Sequence, residues 1–195
     1  MGGPAASVLL HDVLDESQVG TLQTWLGESA EFYGGADRND DLSLGWEFFL
    51  KWPTELGAEL PGGPCLGGIQ TYSVDPGKEH SGLAGFTPAD WARYRDALGW
   101  MPACELAVRI NCKRPRDHKL LGWLCAELAT RFDGMVDLGG VLPLPDRREW
   151  SRFRLAGRVL SAAYDTHAAK SAQVQIVDAQ FLRSWVLQQN FHMIK

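Results

Sequence analysis

The sequence has no long apolar segment, no basic leader and no cysteine pair at metal-binding spacing. A bilayer-spanning helix needs about 20 consecutive apolar residues, so we expect no membrane segment. The N-terminal residues turn acidic early, so we expect no signal peptide. The four cysteines include no Cys-x-x-Cys pair, which disfavours a zinc site. Cys104, Cys112 and Cys125 share the spacing of apolar neighbours, which predicts buried, reduced thiols in a cytoplasmic protein.

The strongest catalytic signatures are also absent. The chain contains no Gly-x-Gly-x-x-Gly after a predicted strand, no P-loop, no Gly-x-Ser-x-Gly and no His-Glu-x-x-His. No two of the five histidines stand at the spacing of metal ligands. We therefore predict no catalytic residues of these kinds, no metal ion and no cofactor. Enzymes whose sites assemble from distant residues remain open.

Aromatic residues, by contrast, are abundant. Eight tryptophans among 195 residues predict a large aromatic core. Hydrophobic residues at 45% and charged residues at 22% are ordinary values for a globular protein. At this length we expect one domain spanning residues 1–195.

Residue periodicity predicts seven strands and four helices in the order β-α-β-β-α-β-α-β-β-β-α. Four helix starts carry N-capping or first-turn residues: Asp15, Thr87, Pro115 and Asp178. Residues 33–45 predict a polar loop, and residues 68–74 predict an edge strand. The fold class that follows is α+β, with a mixed, largely antiparallel sheet and three to four helices packed on it.

The stretch RFDGMVDLGG (131–140) has two carboxylates and three glycines, which suits either a ligand site or a junction between elements. Asp133 falls at the end of a predicted helix, and Gly134 is the expected left-handed residue just beyond it. Asp137 would point away from Val136 in the strand that follows. The pattern favours a junction.

Acidic residues concentrate near the N-terminus. Residues 1–62 contain eleven acidic and two basic side chains, a net charge of −9, whereas the whole chain has −5. Such an asymmetry predicts a basic protein partner and makes nucleic acid an unexpected ligand. We assign partner binding to the acidic loop and the following strand, through Asp37, Asp40, Asp41 and Glu47.

Two basic segments follow later in the chain. Residues 147–154 interleave Trp150 and Phe153 with four arginines that could bind an anion: Arg147, Arg148, Arg152 and Arg154. Residues 113–119 contain His118, which we expect to be a lone surface histidine. An enzyme acting on a small anionic substrate would combine these arginines with His118 or Asp137 as acid or base in one deep pocket.

Residues 117–140 and 174–195 resemble an uncharacterised bacterial family of proteins of about this size. Members of that family have been linked loosely with the immunity side of toxin–antitoxin competition systems. The resemblance rests largely on structural residues and implies a fold and a setting. It transfers no catalytic residue.

These observations lead to one principal hypothesis and two alternatives. The principal one is a non-enzymatic binding protein, a cytoplasmic immunity-type inhibitor that occludes a basic toxin or effector domain. The first alternative is the enzyme described above. The second is a structural subunit of a larger assembly, which would expose several tryptophans in one patch.

Overall fold

A computed structural model describes residues 5–38, 44–57, 63, 65–79, 81–82, 85–111, 114–141, 146–165, 171–189 and 191–193, with the backbone alone for residues 32–38 and 44. Eight strands and four α-helices lie in these residues. The strands are β1 (Ala5–Leu10), β2 (Ala30–Arg38), β3 (Leu44–Leu50), β4 (Cys65–Ser73), β5 (Cys104–Ile110), β6 (Met135–Asp137), β7 (Val159–Asp165) and β8 (Ser171–Val177). The helices are α1 (Glu16–Ser29), α2 (Pro88–Leu98), α3 (Pro115–Arg131) and α4 (Ala179–Val186).

All eight strands form one sheet in the order β2-β3-β4-β5-β1-β6-β8-β7. Every pairing among the described strands is antiparallel. β1 and β2 run in the same direction, but three strands separate them, so α1 connects them without creating a parallel pair. The α+β fold class is confirmed, and the parallel component that we expected does not occur in the described part.

Helices cover both faces of the sheet. On the first face, Val8 and Leu106 are buried in a core shared with α1, α3 and α4. On the second face, Leu9 packs in a separate core with Trp91 and Tyr94 of α2. Successive residues of a strand point to opposite faces, which is why Val8 and Leu9 belong to different cores. β1 is therefore buried on both sides.

The second face is more open over β3, β4 and β5. Glu47, Leu66 and Arg109 project from these strands opposite the main core and are exposed. Leu66 has 41% of its surface exposed, and it is one of few large apolar side chains with that exposure. Solvent and other molecules can therefore reach this part of the sheet.

Local capping chemistry fixes the helix starts as predicted. Asp15 and Gln18 form a reciprocal capping box at α1, and Thr87 forms one with Asp90 at α2. Asp178 accepts a hydrogen bond from the Phe181 N–H at 2.8 Å, which caps α4. These bonds satisfy backbone donors that have no partner within the helix.

Two strand predictions are wrong. Residues 30–38 form β2, although most of them were expected to be a loop, because register shifts around Gly34 break the alternation that marks a strand. β4 was expected at an edge but lies between β3 and β5. Its glycines permit that close packing, since a Cβ on Gly67 would lie 3.0 Å from Phe48.

The aromatic core and the buried thiols are confirmed where the structure describes them. None of the eight tryptophans is exposed. Cys65, Cys104 and Cys125 are buried and are not joined in a disulfide, whereas Cys112 lies outside the described residues. In the described part of the chain, every helix is too short or too polar to cross a bilayer.

Candidate functional site

The predicted acidic partner surface falls at one edge of the sheet. Asp37 lies in the edge strand β2 and Glu47 lies in β3. Asp40 and Asp41 are outside the described residues, as is the side chain of Asp37. Of the four predicted residues, the structure thus describes the backbone of Asp37 and the whole of Glu47.

Glu47 projects from the open part of the second face. Its Oε1 accepts a hydrogen bond from Arg109 Nη2 of β5 at 3.1 Å. Both side chains are more than half exposed, so the pair stabilises the fold by at most about 1 kcal/mol. A cationic group of another molecule can compete with Arg109 for this carboxylate.

Further carboxylates are displayed by the same part of the chain. Lys51, 3.5 Å from Glu31, is the one lysine or arginine among the described side chains of residues 5–57. Glu16 and Glu28 make no ion pair with any described residue. Together with Glu47, six other exposed acidic residues form what we call the acidic region: Asp12, Asp15, Glu16, Glu28, Glu31 and Glu55.

The four candidate anion-binding arginines are exposed beside α4: Arg147, Arg148, Arg152 and Arg154. Trp150, which lies between them, packs against Phe181 with ring centroids 5.0 Å apart. The Arg147 guanidinium lies 5.4 Å from the Trp150 ring. These arginines line neither of the two cavities described below. The segment packs its aromatic rings inward and presents its charges to solvent.

His118 is buried, so the prediction of a surface histidine is wrong. It is 3% exposed and stacks on His192, with ring centroids 3.8 Å apart. Asp117, which is 1% exposed, lies 3.3 Å from Arg114. Phe191 and His192 lie against α3 and help to cover this polar turn. Burial, together with Asp117, raises the pKa of the Cys65 thiol to about 11, which makes it a poor nucleophile at neutral pH.

Residues 131–140 are a junction between α3 and β6, as predicted, but Gly134 is not the left-handed residue. Asp133 adopts that conformation, with φ of 49°. Position 134 requires glycine for packing, because a Cβ there would lie 2.7 Å from Leu10 Cδ2. Asp137 faces the second side of the sheet, as its alternation with Val136 predicted.

The junction also contributes a carboxylate to a cavity on the second face. This cavity has a volume of about 220 Å³ and is enclosed by β1, β5, β6, β7, β8 and the loop before α2. Three polar side chains that line it are nearly buried: Ser7 (8% exposed), Glu105 (5%) and Asp137 (7%). The exposed residues Ala5 and Gly139 form its rim. We call it the carboxylate cavity.

Hydrogen bonds hold both carboxyl groups in place. The Ser7 hydroxyl donates to Glu105 Oε1. Tyr94 donates its hydroxyl to Asp137 Oδ2 at 2.5 Å, and the Gly139 N–H donates to Oδ1 at 2.8 Å. Burial raises the pKa of Asp137, although these two bonds act in the opposite direction. Burial and the adjacent Asp137 also raise the pKa of Tyr94, which keeps its hydroxyl a donor.

A short loop closes over Glu105. The backbones of Ser81 and Phe86 pair, and Trp91 Nε1 donates to Ser81 Oγ at 2.7 Å. Gly82, in this loop, has φ of +75°, and a Cβ there would lie 2.6 Å from Glu105 Oε2. Glycine is required here both for backbone conformation and for the close approach.

A larger, open cleft lies between α2, α3 and α4. Its volume is about 760 Å³, and its lining includes Asp133, Arg158 and Arg183. His11 stacks on Trp100 at its wall, with ring centroids 3.7 Å apart. Each arginine has a carboxylate partner in the fold: Arg158 with Asp178 at 3.6 Å, and Arg183 with Glu127 at 2.7 Å. The cleft's charges therefore largely compensate one another.

Sequence reasoning missed Ser7, Tyr94 and Glu105. The available signal was a polar residue inside an otherwise apolar strand, such as Ser7 in AASVLL and Glu105 in CELAVRI. A polar side chain on a strand covered on both faces must find a buried partner. Ser7, Glu105 and Asp137 meet only because β1, β5 and β6 are neighbours, and Tyr94 reaches Asp137 from α2; no local pattern reveals either.

The geometry defines an α+β protein with an antiparallel sheet, a buried carboxylate cavity and an exposed acidic region. The chain belongs to a family of unknown function, DUF6368, whose model matches residues 2–195. This confirms the expectation of an uncharacterised family. No curated protein and no solved structure matches the chain.

Proposed function

We propose that this chain is a non-enzymatic binding protein, a cytoplasmic immunity-type inhibitor that occludes a basic toxin or effector domain. The observation that carries the proposal is the acidic region: among the described side chains of residues 5–57, seven carboxylates are exposed and Lys51 is the one lysine or arginine. Complementary charge speeds diffusional encounter with a basic protein and disfavours acidic competitors.

The edge strand β2 gives this region a second means of recognition. It pairs with β3 on one side and ends the sheet on the other. Such an edge presents backbone N–H and C=O groups that a partner segment can bind. Asp37 in β2 and the acidic residues that follow it would bring a basic partner to that edge.

The two alternatives have less support. The enzyme required His118 or Asp137 in one deep pocket with the arginines of 147–154. Asp137 lies on the second face, whereas Trp150 packs against Phe181 of the first-face core. His118 is buried against His192, and neither described cavity is lined by His118 or by these arginines. The structural subunit required a patch of exposed tryptophans, and none is exposed. The reduced thiols of the described cysteines suit the cytoplasmic setting of the inhibitor.

The proposal is tested by partner capture from a native lysate with three tagged baits. The first is the unmodified chain, and the second has four acids of the predicted surface neutralised: Asp37→Asn, Asp40→Asn, Asp41→Asn and Glu47→Gln. The third is a control with the same charge change elsewhere: Glu79→Gln, Asp96→Asn, Asp146→Asn and Glu149→Gln, all exposed residues. We expect the first and third baits to retain a stoichiometric basic protein that the second loses.

The captured partner is then expressed with and without this chain. An inhibitor must relieve growth arrest caused by the partner, and the variant with the neutralised surface must fail to do so. Equal capture by all three baits would contradict the assignment of the surface. A harmless partner would contradict the immunity-type role.

A further inference from the structure

Asp137 differs from other buried carboxylates of this protein in its partners. Asp90, 1% exposed, lies 2.9 Å from Arg93, and Asp117 lies 3.3 Å from Arg114. Asp137 is 7% exposed and makes no ion pair with any described residue. A buried carboxylate without a cation carries a large desolvation cost, which is why such groups are usually paired.

The carboxylate cavity provides space beside Asp137 for the missing cation. Its volume of about 220 Å³ equals roughly seven water molecules at ~30 Å³ each. The residues that line it in the described chain include no arginine, lysine or histidine. Phe86 and Tyr164 form aromatic walls, with ring centroids 5.3 Å apart, and Val174 adds an aliphatic surface.

We propose that this cavity binds a primary alkylammonium group, with the ammonium on Asp137 and Glu105 and the alkyl chain against the rings of Phe86 and Tyr164. Aromatic rings attract cations through their faces and also bury apolar carbon. Each carboxylate has about four lone-pair positions, and the hydrogen bonds from Tyr94 and Gly139 use two of those on Asp137. Positions remain for an ammonium donor.

Other ligand classes fit the cavity less well. A divalent metal needs more oxygen or nitrogen ligands than the described residues cluster there. An anion would meet two carboxyl groups, and the described residues that line the cavity include no arginine, lysine or histidine.

The alkylammonium could belong to a free small amine or to a lysine of a docked protein. The rim residue Ala5 is in register with Arg109, Arg109 with Gly68, and Gly68 with Glu47. The cavity mouth and Glu47 therefore share one row across the open sheet face, about 14 Å apart at the usual strand spacing. A lysine of a partner protein as the origin of the ammonium group rests on the proposed function, whereas a free amine as its origin does not.

The test is an NMR titration of the isotope-labelled full chain with n-butylammonium chloride at constant ionic strength. We expect saturable shifts of the Ser7 and Gly139 amides with a Kd of about 1–10 mM. Asp137→Asn should weaken binding about tenfold, because it removes the charge that faces the ammonium. Asp96→Asn, on an exposed side chain, should leave the Kd unchanged. Neutral 1-butanol, of similar size, should give no comparable saturation.

A second variant and a second ligand complete the test. Ala5→Leu narrows the exposed rim and should weaken binding even if Asp137→Asn fails to fold. N-acetyl-lysine methylamide shows whether a lysine side chain can reach the cavity: binding supports a docked protein as source, and exclusion supports a free amine. Equal binding of amine and alcohol, or an unchanged Kd in both variants, would overturn the proposal. No partner is present in this assay, so its outcome is separate from that of the capture experiment.

Discussion

A methyl group at position 82 would meet two fixed neighbours. The Cβ of Gly82→Ala would lie 2.6 Å from Glu105 Oε2 and 2.9 Å from Trp91 Cζ2, at a backbone φ of +75°. We expect this substitution to lower the free energy of unfolding by about 1–3 kcal/mol, because strain and overlap occur together. Urea denaturation followed by tryptophan fluorescence measures the change.

Gly20→Ala is the matched control for that prediction. Gly20 lies inside α1, and a Cβ there would contact nothing within 4 Å. Inside a helix, alanine is more stabilising than glycine by up to about 1 kcal/mol, so this variant should be as stable as the parent or more stable. If both glycine substitutions had the same effect, the close loop over Glu105 would be refuted.

Asp137 should give the protein a pH dependence that an amide abolishes. Its pKa is raised in the folded state by burial, so its stabilising effect is complete below the unfolded value of about 3.9 and is lost as pH rises through the folded value. The stability of the parent relative to Asp137→Asn should therefore fall between acidic and neutral pH. Urea denaturation of both proteins across that pH range tests whether this stability difference falls or rises with pH. A flat difference, or one that rises with pH, would contradict the burial of this carboxyl.

The N-terminus of α2 should show the opposite pH dependence through Asp90. Burial alone would raise the pKa of Asp90, but hydrogen bonds from Thr87 and the Asp165 N–H, with the Arg93 charge, hold it below its usual range. Its stabilisation is present above the unfolded pKa and is lost as pH falls through the folded value. Asp90→Asn should cost about 1–3 kcal/mol at neutral pH and less in acid.

Asp15→Asn, at the exposed cap of α1, is the control for Asp90→Asn. Asparagine caps a helix as well as aspartate, so the cost should be close to zero at every pH. Thermal and urea unfolding of both variants at two pH values make the comparison. A similar cost at both sites would show that Asp90 acts as a cap alone and does not tie α2 to β7.

Helices were more predictable than strands because their signals are local. Asp15, Thr87 and Asp178 cap helices within four residues of themselves, so reading along the chain found them. β2 was missed because Gly34 and its neighbours interrupt the alternation, and pairing with β3 overrides that weak local preference. The burial of His118 was missed because the charged residues around it resemble a solvated surface, and the covering C-terminal segment is distant in sequence.

Across the molecule, charge was predictable and cavities were not. The excess of acidic residues before position 62 is a property of composition, and the acidic side chains that the structure describes there are exposed. The carboxylate cavity depends on the strand order β5-β1-β6, which brings Ser7, Glu105 and Asp137 together from three parts of the chain. Strand order is set by long-range packing, so the cavity required a structure.

The most direct test of the acidic region as the binding surface is the salt dependence of association with the captured partner. We predict that the association rate constant of the unmodified chain falls steeply as ionic strength rises, because electrostatic attraction accelerates the encounter with a basic partner. The variant neutralised at Asp37, Asp40, Asp41 and Glu47 should associate more slowly and with a shallower slope. The control neutralised elsewhere should keep the parent's slope. An unchanged rate constant and slope in the first variant would contradict the account.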